Sequence, residues 1–117
     1  MVNILTNTLN ICKIIDSEFA VSFENGEKVY SEIKREIGNH GKVILSFAGI
    51  SKAIPAFFSF LILVPEDFEG SQIRDLIEFK DMSEDHENII DMVIVHTQKY
   101  HQDPEAYNST FGSMLEI

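Results

Sequence analysis

The chain has 117 residues, 44% of them apolar, a single cysteine and a formal net charge of −10. That length suits one domain with a real core, and the charge speaks against ordinary nucleic-acid binding, which needs a basic patch. Cys12 has no partner for an internal disulfide and fits a reducing cytosol, the N-terminus lacks the basic and apolar regions of a signal peptide, and the apolar run at 54–64 is too short to span a bilayer.

The charge is unevenly placed. Residues 1–64 carry six acids and six bases, whereas residues 65–117 carry thirteen acids against Arg74, Lys80 and Lys99. Ten of those acids fall between Glu66 and Asp91. The bland reading is a solubilising face; the sharper one is an acidic face for a basic partner, with Glu66, Asp67, Glu69, Glu84 and Asp85 at its centre.

Residues 2–15 are rich in Val, Ile, Thr and Leu, which predicts one long edge strand, or two short ones separated by a turn at Asn7 or Asn10. Ser22 or Asn25 offers an N-cap. Val29, Tyr30, Ile33 and Ile37 then recur at helical spacing up to a stop at Gly38. Residues 42–47 read as a strand apolar on both faces, as in a sheet covered on both sides.

Gly49 breaks that strand, and Pro55 is suited to a first helical turn. A second helix is expected from 53–55 through Val64, stopped by Pro65. Its residues Phe57, Phe58, Phe60, Leu61, Ile62, Leu63 and Val64 leave no polar face, so it should be buried nearly all round. After an acidic loop at 66–71, Leu76-Ile77-Glu78-Phe79 reads as a strand. Ser83 followed by Glu84, Asp85 and Glu87 reads as a helix start, because acids complement the positive end of the helix dipole. Helical spacing then holds to about Tyr100. Phe111, Met114, Leu115 and Ile117 make the tail too apolar to stay free, so packing back or binding is expected of it.

The order is β(β)-α-β-α-β-α: an α/β domain over residues 1–102, a mixed sheet layered with helices, with a C-terminal tail at 103–117. Glu24-Asn25-Gly26-Glu27-Lys28-Val29-Tyr30, then Gly41-Lys42-Val43-Ile44-Leu45-Ser46-Phe47-Ala48-Gly49-Ile50 and Pro55-Ala56-Phe57-Phe58 resemble a STAS domain, the fold of bacterial anti-sigma-factor antagonists. The closer likeness is to a stand-alone STAS-like family of unknown function. The Asp67-Phe68 and His96…Tyr100 regions extend it, and it covers roughly residues 10–101.

The resemblance implies a protein-interaction and regulatory role, with kinase-like ATPases as the partner class. Its phosphorylatable Ser or Thr, however, falls at Ile54, Pro55 or Ala56, none of which accepts phosphate. Ser46 stands where the STAS-like family has an acid, and Ile54, Ser59 and Leu63 replace its Thr, Asn and Gly. The expected partner surface is therefore Gly49, Ser51, Lys52, Ala53, Ala56 and Ser59, without a phospho-switch.

Other chemistry is sparsely signalled. His96 and His101 stand about 140° apart on a helix, His40 and His86 lie on other elements, and no phosphate loop or catalytic set is legible, so no cofactor, metal or enzymatic activity is expected. Two rival readings stand beside the interaction module. One is an acidic inhibitor that imitates nucleic acid, of the kind a phage or mobile element would direct at a basic nuclease. The other is an anion-binding helix N-terminus. The edge strand or the apolar tail also offers a homodimer contact.

Overall fold

The computed structural model describes residues 8–102. The expectations for residues 2–7, the sequon at Asn108 and the apolar tail lie outside them. Strands β1 (Thr8–Asn10), β3 (Val43–Ser46) and β5 (Ile77–Lys80) form a parallel sheet in the order β1-β3-β5, with Leu9 beside Leu45 and Leu45 beside Phe79. A second parallel pair joins β2 (Phe19–Ala20) to β4 (Lys52–Ala53). A mixed sheet was the expectation; the described strands pair only in parallel. Helical crossovers separate the strands of the larger sheet, and such a connection returns the chain in the same direction.

Residues 11–15 correct the extended reading of the N-terminal stretch. They form a short helix, α1 (Ile11–Ile15), because Asn10 Oδ1 accepts the Lys13 amide at 2.9 Å. Ile11 and Ile15 then lie one turn apart on a single buried face. Ser22 caps α2 (Phe23–His40), its hydroxyl accepting the Asn25 amide at 2.9 Å. The helix runs straight through Gly38, the expected stop, and ends at Gly41, whose φ of 79° closes a left-handed cap with its N–H on Ile37 O. Val29, Tyr30, Ile33 and Ile37 are buried as the spacing requires.

The apolar segment after the turn is helical but mostly not α. Pro55–Leu63 is a 3-10 helix, and α3 (Val64–Asp67) continues it through Pro65. Pro65 does not stop the helix; it sits in the first turn of α3, where a missing N–H costs nothing. With three residues per turn, side chains three apart eclipse one another, so the segment divides into three rows. Phe58, Leu61 and Val64 are fully buried. Phe57 and Phe60 face α2, and the same row ends at exposed Leu63. Ala56, Ser59 and Ile62 are half-buried.

Gly26 of α2 makes this crossing close. A Cβ there would overlap the carbonyl oxygen of Phe57, so only glycine lets the two backbones meet. Tyr30 stacks on Phe60, with ring centroids 5.3 Å apart. Phe57, Phe58 and Phe47 continue the aromatic core beneath the sheet. A short helix α4 (Ile73–Leu76) leads into β5, and α5 (Glu84–Gln102) packs Ile90, Val93 and Ile94 onto the core.

Candidate functional site

Three strands end together at one edge of the larger sheet, where open α/β domains place ligands and partners. Side chains there tie the edge together. Asn10 Nδ2 donates to Ala48 O at 3.2 Å. Ser46, nearly buried, donates its hydroxyl to Asp81 Oδ2 at 2.6 Å and accepts the Ala48 amide at 3.2 Å. Asp81 holds a left-handed φ of 59° immediately after β5, which turns its carboxylate toward Ser46. Ser46 thus works as a strut between strand ends.

The turn that follows β3 is pinned from below. Gly49, at φ 91°, packs against Cys12, whose sulfur would lie 3.2 Å from an added Cβ. Glu18 O accepts the amide of Ser51 at 2.8 Å, and Ala20 O accepts that of Ile54 at 3.1 Å. These bonds and the β2–β4 pairing fix the backbone while leaving Gly49, Ser51 and Lys52 exposed. A cleft of about 400 Å³ separates the turn from the start of α5, lined by Ser51, Lys52, Ala53, Asp85, His86 and Ile89 among others.

His86 forms the wall of that cleft. Its Nδ1 accepts the Ser83 amide and its own amide donates to Ser83 Oγ, both at 3.2 Å. This is a reciprocal helix cap with histidine in the place usually held by Glu or Gln. The ring lies 5.0 Å from Phe47 and is almost fully buried. Burial pushes its pKa below the ordinary imidazole value, against the opposing pull of Asp85.

Of the residues expected at the partner surface, Ser51, Lys52 and Ala53 share this cleft. Ser59 lies elsewhere, in a groove of about 390 Å³ between α2 and the 3-10 helix, with Phe23, Gly26, Tyr30, Lys34 and Leu63. Its buried hydroxyl has no hydrogen-bond partner. Ala56 is half-buried at the foot of the turn and lines neither.

The acids divide as well. Glu84 and Asp85 open α5, whereas Glu66 borders a third cleft with Ile94, Thr97 and Gln98 near its other end, about 20 Å away at 1.5 Å per residue. Asp67 accepts the Tyr30 hydroxyl at 2.7 Å. Burial, then that bond and the nearby charge, hold the Tyr30 phenol far above its usual range. Glu69 sits in a left-handed turn at φ 54°. Among the described residues, no group of three or more His, Cys, Asp or Glu is arranged to hold a metal ion, and no helix is long and apolar enough to cross a membrane.

One surface feature escaped the sequence reading. Phe19, Val21 and Phe23 are 49%, 38% and 55% exposed, with buried Ala20 between the first two. The signal was there as period-two alternation, F-A-V-S-F, obscured because the segment was read only for a cap. No curated protein and no solved structure matches the chain. A family model, the STAS-like domain of unknown function (DUF4325), matches residues 25–87. That span runs from the first turn of α2, through the close crossing at Gly26, the Ser46–Asp81 strut and the pinned turn, to the His86 cap, and over this greater part of its length the chain belongs to the STAS-like family.

Proposed function

We propose that the chain is a non-catalytic protein-interaction module that presents the turn at 49–54, together with the cleft beside α5, to a protein partner. The observation that carries this reading is the pinned turn itself. Backbone bonds to Glu18 O and Ala20 O hold a segment whose side chains at Ser51 and Lys52 are exposed. A preorganised surface loses little conformational entropy when a partner settles on it. The absence of an acceptor hydroxyl at Ile54, Pro55 and Ala56 goes with constitutive rather than phosphorylation-gated binding. The family likeness points to kinase-like ATPases as the partner class. The nucleic-acid-mimic reading draws no support from the placement of the acids.

The test is affinity capture from the source cell, followed by titration of the captured protein against wild type, Ser51→Arg and Lys52→Glu. Both side chains are exposed, so folding should be unaffected. A specific partner whose affinity falls about tenfold or more in either variant agrees with the reading. A partner bound equally well by all three forms removes the turn from the interface.

A further inference from the structure

The alternating stripe Phe19-Val21-Phe23 does not end at α2. Phe23 lines the groove between α2 and the 3-10 helix together with Leu63, itself 44% exposed at the end of its row. Four of the five large exposed apolar side chains among the described residues therefore lie along one continuous path. Exposed apolar surface of this kind marks an interaction site more often than single scattered residues do.

The rim of the path is acidic. From residue 16 to residue 27 the chain carries Asp16, Glu18, Glu24 and Glu27, all exposed, and no Lys or Arg. Lys34, at the far side of the groove, is engaged over the Tyr30 ring at 4.9 Å. We infer that this stripe and groove dock a basic amphipathic segment of a partner protein, its apolar face on Phe19, Val21, Phe23 and Leu63 and its Lys or Arg residues against the acidic rim. An apolar stripe bordered by one sign of charge selects a ligand with apolar and opposite-sign faces, the logic of helix-in-groove recognition. The inference rests on the interaction reading but uses a different surface from the cleft beside α5, and it is read without the native partner, so each can fail alone.

The probes are two synthetic peptides of about 18 residues with identical Leu and Lys composition. One is patterned as an amphipathic helix and the other scrambled so that leucine is scattered. A third peptide keeps the amphipathic pattern with Glu in place of Lys. Titrated into the full chain at about 0.1 M salt, the amphipathic Lys peptide should bind at least about tenfold tighter than either of the others. That preference should vanish in Phe23→Ser and Leu63→Ser and persist in Val95→Ser, an exposed apolar site outside the groove.

Equal binding of patterned and scrambled Lys peptides would reduce the effect to net charge and overturn the proposal. So would a preference that survives both groove variants. Sedimentation showing a wild-type dimer that Phe23→Ser converts to monomer would assign the stripe to a second copy instead. Cross-peaks in nuclear magnetic resonance spectra from Phe23 or Leu63 to Phe111, Met114 or Leu115 would assign it to the chain's own tail.

Discussion

Two glycines in the same helix have opposite reasons to be there, and substituting each by alanine separates them. At Gly26 the methyl group would overlap the Phe57 carbonyl, which belongs to backbone and cannot swing away. Gly26→Ala should cost about 2–3 kcal/mol even after the gain in helix propensity, because α2 must lift off the 3-10 segment. At Gly38 no atom lies within 4 Å of the added methyl and the site is exposed, so Gly38→Ala should stabilise by about 0.5–1 kcal/mol. Urea unfolding of the pair reads both signs. Ser59→Ala should also raise stability, by about 1 kcal/mol, since it removes a buried hydroxyl without a partner. A loss there would mean that the hydroxyl is bonded in solution.

His86 supplies a pH dependence whose sign follows from its lowered pKa. As pH falls from about 7 toward 5, the unfolded chain takes up a proton near the ordinary imidazole value before the folded chain does. Stability from this group is therefore complete above that value and is lost as pH falls through the folded-state pKa. The depressed pKa of His96, caused mainly by burial, adds a contribution of the same sign. His86→Gln keeps the reciprocal cap available while removing the titration. Its unfolding midpoint should change less between pH 7 and 5 than that of wild type; an unchanged slope would place the dependence elsewhere.

At the scale of elements, the long periodic helices were legible because their signals are redundant. Ser22 and Ser83 each mark a start, and apolar spacing carries α2 and α5 onward. The strands β3 and β5 were legible for the same reason, as short apolar runs between breakers. What the sequence hid depends on distant parts of the chain. Ile11–Ile15 has β-branched composition but folds as a helix because Asn10 caps it and the core takes Ile11 and Ile15. The two-residue strands β2 and β4 exist only because each finds the other.

The 3-10 segment is the clearest case of this limit. With apolar residues at nearly every position from 55 to 64, no periodicity could distinguish α from 3-10, and rows three apart emerge only against a specific neighbour. That neighbour is the Gly26 face of α2, which brings the backbones close and leaves Leu63 at the surface. Pro65 failed as a stop signal because it falls in the first turn of α3, where proline fits. The expected partner surface was half legible in the same sense. Ser51, Lys52 and Ala53 do gather at one cleft, but Ser59 is carried by the 3-10 twist into the groove on the α2 side.

For the whole molecule, the account places recognition on an outer arc formed by β2, β4 and the pinned turn, supported by the strand-end struts of Asn10 and Ser46. The aromatic core and the Gly26 crossing give that arc its rigidity, while the chain's excess acid lies mainly on the later elements. The most direct test is hydrogen–deuterium exchange on the full chain with and without its captured protein partner. The account predicts slowed exchange in residues 48–54, with the paired β2 segment protected alongside. Protection confined to residues 64–72 and 94–98, with 48–54 exchanging as in the free protein, would contradict it.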